Sequence, residues 1–155
     1  MDSVYSYIVE PLGDRYNNSK KVGDKELILN TEIYNHQYAN REARIISVPR
    51  AGAPLNPGVG DIVTLHHNVF RRWNDIKGKE RNSRSFLEEG KYLVDTDQVY
   101  LYKKDGGDWT CSKGYCFVQP LQSINKFDTE TERPLMGVVR YSDGTVEEGD
   151  LIGFR

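Results

Sequence analysis

Cysteine and histidine are the side chains in this chain most able to bind a metal ion or act as a nucleophile. The 155 residues contain two cysteines, Cys111 and Cys116, and three histidines, of which His66 and His67 are adjacent. A structural zinc site needs about four such ligands, and adjacent residues on a strand point to opposite faces. We expect no metal site and two reduced thiols, with a disulfide as the alternative. Of the adjacent histidines, one ring should lie in the core and one at the surface.

A basic cluster is the other concentration of reactive groups. It contains six lysines and arginines and one tryptophan. Arginine and an aromatic ring can bind phosphate and stack on a base, so a nucleic-acid interface is one interpretation. A solvated loop is the favoured one. The members are Arg71, Arg72, Trp73, Lys77, Lys79, Arg81 and Arg84.

No arrangement typical of an enzyme stands out. The sequence shows no glycine-rich phosphate loop, no metal-ligand spacing and no nucleophile motif. We therefore predict that the protein is not an enzyme and binds no cofactor.

Composition and charge indicate a polar protein with a modest core. Hydrophobic residues make up 37% of the chain and the net charge is -2. A net charge so close to zero argues against a nucleic-acid partner bound through the overall charge of the protein. No apolar run is long enough to cross a bilayer, and the first residues do not resemble a signal peptide. We expect a soluble, intracellular protein of one domain or two very small ones.

Short β-branched and aromatic runs, separated by glycine, proline and aspartate, predict an all-β fold. The central strands are residues 43–48 and 62–65, and the turn Val59-Gly60-Asp61 leads into the second of them. Residues 5–12 form an earlier strand. Residues 91–94 and 98–102 are two strands that flank an acidic turn. This strand–turn–strand return of the chain would close a small barrel.

Two long polar segments interrupt these strands. Residues 17–40 are predicted to be a mobile loop that carries an isolated apolar triplet, Leu27, Ile28 and Leu29. The triplet is either a short strand packed under the barrel or an exposed anchor for a partner groove. The second segment, residues 66–90, contains the basic cluster.

The last third of the chain repeats part of the strand framework. Residues 7–12 resemble 116–121, residues 45–48 resemble 137–141, and residues 59–63 resemble 148–152. Three matches in one order favour a duplication over chance similarity of short pieces. We place a boundary at residues 103–108, which gives a first domain at 1–104 and a partial copy at 109–155. An incomplete copy leaves a sheet edge that must pack on the first copy, pair with a neighbouring chain or continue in a longer protein.

Several motifs together resemble the GroES-type co-chaperonins. They are Ile8-Val9-Glu10-Pro11-Leu12-Gly13-Asp14-Arg15, Val59-Gly60-Asp61-Ile62-Val63 and the return at residues 92–102. The resemblance covers about residues 5–102 and, more faintly, 116–154. It implies a partly open β-barrel that assembles into a ring, a heptamer in that family. The ring caps the ATP-bound chaperonin double ring and so assists protein folding.

The resemblance also assigns roles to the two long segments. In that family a mobile loop between the first two strands carries an apolar tripeptide that docks on the chaperonin, and Leu27, Ile28 and Leu29 stand in that loop. The family's roof hairpin falls at about residues 66–90. ATP would be bound by the chaperonin and not by this chain. The protein would be cytoplasmic and would bind no membrane.

The chain also departs from that family. Lys25 and Glu26 stand where the family has a glycine pair, both long segments are longer than expected, and the C-terminal half-copy is extra. These departures are what we expect of a divergent viral version working in the host cytoplasm. The alternative is a GroES-like, ring-forming structural protein with no chaperonin partner, for example a virion component. A nucleic-acid-binding barrel that uses the basic cluster is the third interpretation.

Overall fold

Antiparallel β-strands make up the structure, a computed structural model that describes residues 2–16, 19–28, 35–52, 56–122 and 132–154. These residues contain fourteen strands and one short 3-10 helix, and no α-helix. The all-β prediction is therefore confirmed. Within the same residues no helix has the length and apolar character needed to cross a membrane.

The chain divides into two compact units, Met1–Gly107 and Asp108–Arg155. The division falls inside the polar segment 103–108, where the sequence predicts a boundary. The described residues of the first unit form ten strands and the 3-10 helix, which spans Thr96–Gln98. The strands are β1 (Tyr7–Pro11), β2 (Ser19–Val22), β3 (Lys25–Ile28), β4 (Glu42–Ser47), β5 (Ile62–Leu65), β6 (Arg72–Asn74), β7 (Glu80–Asn82), β8 (Phe86–Glu88), β9 (Lys91–Val94) and β10 (Val99–Lys103).

Six strands of the first unit lie side by side in the order β10-β5-β4-β1-β9-β8, and β2–β3 and β6–β7 form separate hairpins. β9 and β10 were predicted as a strand, a turn and a strand, yet they do not pair, because β1, β4 and β5 lie between them. At about 4.8 Å per strand, a flat sheet would hold them about 19 Å apart. A link of residues 95–98 that is wound into a 3-10 turn is shorter than that, so the sheet must curl.

The core lies inside this curl. Alternate residues of β1, β4, β5 and β9 point into this core, as expected for the period of two along a strand. Phe70 and Tyr92 meet edge to face with 4.8 Å between ring centroids, and Phe86 packs on Tyr92 at 5.8 Å. The buried cluster consists of Tyr7, Val9, Ala43, Ile45, Val63, Leu65, Val69, Phe70, Tyr92, Val94 and Val99.

The second unit repeats three strands of the first. Its strands are β11 (Thr110–Cys111), β12 (Cys116–Gln122), β13 (Glu132–Ser142) and β14 (Leu151–Gly153), and the last three form a sheet in the order β12-β13-β14. β12 pairs with β13 in the register of β1 with β4, and each pair has a bulge at the same step. The corresponding pairs are Val9–Ile45 and Pro11–Ala43 in the first unit, and Val118–Val139 and Pro120–Gly137 in the second.

The glycine of each Gly-Asp turn makes the same hydrogen bond. The Gly60 N–H donates to the carbonyl of Ile45 at 2.8 Å, and the Gly149 N–H donates to the carbonyl of Val139 at 2.8 Å. Their φ angles are 89° and 96°, a left-handed conformation that glycine adopts at little cost. The motif therefore has a structural purpose in both units: it turns the chain and docks it on the second strand.

The aspartate of each turn fixes the loop before it. The Asp61 carboxylate accepts the Gly58 N–H at 2.9 Å, and the Asp150 carboxylate accepts the Glu147 N–H at 3.2 Å. β12, β13 and β14 therefore correspond to β1, β4 and β5 in register, bulge and turn. Shared detail of this kind supports the duplication that the sequence predicts.

The two aspartates allow a matched test, because the same hydrogen bond occurs at two depths of burial. Asp61 is 9% exposed, whereas Asp150 is exposed. Asp61→Ala should lower the free energy of unfolding of the first unit by about 1–3 kcal/mol, since it leaves a partly buried amide unpaired. Asp150→Ala should cost less than about 1 kcal/mol. Urea unfolding followed by circular dichroism measures both losses, and equal losses would contradict the expectation.

Candidate functional site

The first two residues of the apolar triplet lie on a hairpin that the sequence analysis did not predict. β2 and β3 pair through the two-residue turn Gly23-Asp24, a signal typical of tight hairpins. Leu27 lies within β3 and Ile28 ends it, while Leu29 is outside the described residues. The segment predicted as a long mobile loop thus contains regular β-structure.

Two apolar side chains share one face of this hairpin. Val22 pairs with Lys25, and Leu27 follows Lys25 by two residues, so Val22 and Leu27 point the same way. They are 60% and 55% exposed. We call this pair the apolar face; Lys25, which lies opposite Val22, is on the same side of the hairpin. A strand packed under the barrel, one of the two predicted alternatives, is therefore wrong for Leu27.

The ends of the segment that carries the hairpin are joined to each other. Tyr16 forms an isolated bridge with Ala39, and the Asn40 N–H donates to the Arg15 carbonyl at 2.8 Å. The side-chain amide of the buried Asn40 donates to the backbone carbonyls of Leu12 and Asp14 at 2.8 and 3.1 Å. Because the chain leaves and rejoins the sheet at one point, displacement of the hairpin would not pull β1 away from β4.

Arg15 connects this point to the second hairpin. Its Nε donates to the Phe70 carbonyl at 3.1 Å, and its Nη1 donates to Oδ1 of Asn82 in β7 at 2.8 Å. The guanidinium carbon also lies 5.3 Å from the centroid of the Tyr92 ring, within the range of a cation–π contact. The Arg15 side chain thus links the segment that follows β1 to β7 and to the Tyr92 ring in the core.

A cleft of about 540 Å³ lies beside this junction. The Arg72 N–H donates to the Tyr16 hydroxyl at 2.6 Å, and the Arg72 guanidinium lies 5.1 Å from the Tyr16 ring centroid. Glu26 of β3 and Glu89 line the cleft together with both arginines. Among the described residues, the ionisable groups that line the cleft are guanidinium, phenol and carboxylate groups, and they join the two hairpins.

The basic cluster is brought together on the second hairpin, where Trp73 pairs with Arg81. Arg72 forms an ion pair with Glu80, and Arg81 forms one with Asp75, each at 3.0 Å. These pairs offset two of the six positive charges and weaken the case for a phosphate interface. The remaining members lie in the turn and at the flanks of the hairpin: Arg71, Lys77, Lys79 and Arg84.

Asp75 organises the tip of this hairpin. Its carboxylate accepts the N–H groups of Lys79 and Lys77 at 3.0 and 2.9 Å and binds Arg81. The bond from the Lys79 amide is the main reason that the pKa of Asp75 lies below its ordinary value. Ile76, beside it, is fully exposed. The tip is therefore an ordered turn whose residues 76–79 are exposed to solvent.

The three histidines meet at one place. The rings of His66 and His67 stack with 4.2 Å between centroids, and His36 lies 5.1 Å from His67. The expected split of His66 and His67 between core and surface is wrong, since both are half-buried. They follow the end of β5, where the chain turns and strand alternation no longer applies. Burial, and then the neighbouring His66 and His36, lower the pKa of His67.

Although the three histidines lie close together, no group of three or more histidine, cysteine, aspartate or glutamate residues is arranged to hold a metal ion in the part of the chain that the structure describes. Both cysteines are free, Cys111 buried and Cys116 exposed. Burial raises the pKa of the Cys111 thiol to about 11, so this thiol stays protonated and weakly reactive at neutral pH.

Sequence reasoning missed three parts of this region. Val22 had a readable signal, the Gly23-Asp24 turn that sets its face. The Arg15 junction and the contact of His36 with His67 had none, because they join residues that are far apart in the chain. No family model, curated protein or solved structure matches the chain.

The junction can be tested with Arg15→Lys. A lysine keeps the charge but cannot reproduce two directed hydrogen bonds and the ring contact, so the free energy of unfolding should fall by about 1–3 kcal/mol. Arg84→Lys, at an exposed arginine, is the matched control and should change it by no more than about 0.5 kcal/mol. Chemical denaturation of both variants gives the comparison. A loss at Arg15 as small as the control's would count against the junction.

The lowered pKa of His67 predicts a loss of stability in acid. As the pH falls below the ordinary value of 6.5, the unfolded chain binds a proton before the folded one does, and the free energy of unfolding decreases. The decrease ends once the pH passes the folded-state pKa. His67→Asn should show a smaller decrease between about pH 7.5 and about pH 5.5. Urea titrations of both proteins at both pH values test this, and parallel decreases would refute it.

Proposed function

We propose that this protein is a co-chaperonin that forms a ring and caps an ATP-bound chaperonin through the apolar face of its first hairpin. The observation that carries the proposal is the exposed pair Val22 and Leu27, which lies on a hairpin inserted between β1 and β4. An exposed apolar pair on a hairpin with joined ends suits reversible docking into an apolar groove.

The fold of the first unit supports this proposal. A curled antiparallel sheet in which β9 and β10, separated by three strands, are joined by a short link is what a partly open, GroES-like barrel requires. The motifs that carry the resemblance also have structural roles here. Arg15 holds the second hairpin, and Gly60 makes the turn into β5.

The expected affinity of one hairpin is low. Full burial of one aliphatic side chain contributes about 1.5–3 kcal/mol, and ordering the partners consumes part of that. A ring presents the same face several times, so weak contacts add up to useful avidity and release together. Binding controlled by the ATP state of the partner needs this combination of weak single contacts and strong total binding.

The exposure of Leu27 also bears on the alternative, a ring-forming structural protein without a chaperonin partner. That alternative expects the triplet to be ordered and buried against the barrel or against a neighbouring chain, and within the single chain Leu27 is not buried against the barrel. Burial against a neighbouring chain is compatible with this exposure, so a virion role serves as the contrasting outcome of the experiment below.

Co-sedimentation with a chaperonin double ring, with and without ATP, tests the proposal. The unmodified protein should bind only with ATP, and Val22→Asp/Leu27→Asp should bind at least about tenfold more weakly, since each 1.4 kcal/mol lost is a factor of ten. Val59→Asp is the matched control, because Val59 is also an exposed valine, at 64%, but lies outside the hairpin. It should bind as the unmodified protein does.

Two results would overturn the proposal in different ways. If the unmodified protein does not bind the chaperonin of its own host in either nucleotide state, the co-chaperonin function is wrong and a structural role takes its place. If the double aspartate variant binds as well as the control, a co-chaperonin remains, but the apolar face is not its anchor.

A further inference from the structure

The two units differ at the edges of their corresponding sheets. In the first unit β9 covers the outer edge of β1, and β10 covers that of β5. In the sheet of the second unit, β12 and β14 are the outermost strands among the described residues. Within the described part of the second unit, the strands that correspond to β1 and β5 therefore have no counterpart of β9 or β10 beside them.

Exposure of corresponding residues shows the same difference. Tyr7 is 1% exposed and Ile62 is 8% exposed. Their counterparts in the second unit are Cys116, which is exposed, and Leu151, which is 59% exposed. Positions that a covering strand buries in the first unit thus remain open in the second.

The first unit also shows which amides of β12 face the open edge. The Leu12 N–H donates to the Glu42 carbonyl of β4 at 3.0 Å, so the amides of Tyr7 and Val9, an odd number of residues away, face β9. By correspondence, the amides of Cys116 and Val118 face the open edge. Pro120 has the same orientation but no N–H, so pairing must end before it.

The strand that covers this edge in the first unit has a simple chemical character. β9 pairs with β1 through Val94, Leu93 and Tyr92, which lie opposite residues 7, 8 and 9. An occupant of the β12 edge must likewise present three apolar residues, antiparallel to residues 116–118.

We propose that this occupant is β12 of a second copy of the chain, paired across a two-fold axis that passes through Phe117. Two identical edges related by a two-fold axis pair antiparallel. The second copy then supplies Val118 at the place of Val94, Phe117 at the place of Leu93 and Cys116 at the place of Tyr92. All three are apolar, so β12 fits the edge that it forms itself.

Charge and proline make this pairing specific. β12 (Cys-Phe-Val-Gln-Pro-Leu-Gln) contains no charged residue, so no like charges face each other across the axis. Edges that avoid association usually carry a lysine or another charge. Pro120 limits the paired stretch, which leaves the register centred on Phe117. The proposal does not depend on the co-chaperonin function, because it involves neither the hairpin nor the first unit.

A cysteine placed on the axis tests the pairing in the full chain. The two copies of residue 117 would form a pair without mutual hydrogen bonds, with Cα atoms about 4.5 Å apart, a separation that a disulfide accepts. Cys116→Ser/Phe117→Cys should give a covalent dimer on mild oxidation, read on a non-reducing gel. Cys116→Ser/Leu151→Cys, with the same number of thiols but its new one on β14, should give several-fold less.

A second measurement covers the case in which residue 117 also matters for folding. Phe117→Lys places two ammonium groups on the axis, so sedimentation should give a particle of lower mass than that of the unmodified protein. An unchanged mass, together with cross-linking no greater than in the Leu151 control, would overturn the proposal. The proposal would also be overturned if the unmodified protein already had the mass of a single chain.

Discussion

The pairing of β1 with β4 is the constraint on which the rest of the first unit depends. β1 lies near the middle of the sheet and contacts β4 on one side and β9 on the other. The residues just after it, Leu12 to Tyr16, then hold both ends of the inserted hairpin and the base of the second hairpin. If β1 shifted by one residue, its side chains would change faces, and core and junction would be lost together.

Stability and the proposed docking are separated in this arrangement. The buried cluster uses residues of the sheet, whereas Val22 and Leu27 are exposed on a hairpin outside it. Exposed side chains contribute little to folding, so their type is free to follow a partner. The joined ends at Tyr16 and Ala39 would let the hairpin engage the proposed partner while the sheet remains unchanged.

Local features were predictable from the sequence, and features formed by distant residues were not. β5 and β9 have the predicted bounds, since short β-branched runs between turn residues are local signals. The repeat was visible because β12 keeps the Val-x-Pro pattern of β1. The position of β9 and β10 on either side of three other strands, the histidine contact and the Arg15 junction depend on tertiary packing. The β2–β3 hairpin was missed, although Gly23-Asp24 marked it.

The bridge between Tyr16 and Ala39 has a consequence for how such a chain can change over time. The residues between Tyr16 and Ala39 can be replaced as one segment, since any segment whose ends fit the same two positions would leave the sheet intact. Lengthening such a loop costs little, because closure entropy grows only with the logarithm of its length. The specificity of the proposed docking can therefore change by insertion and replacement at this one place, while selection on the sheet acts independently.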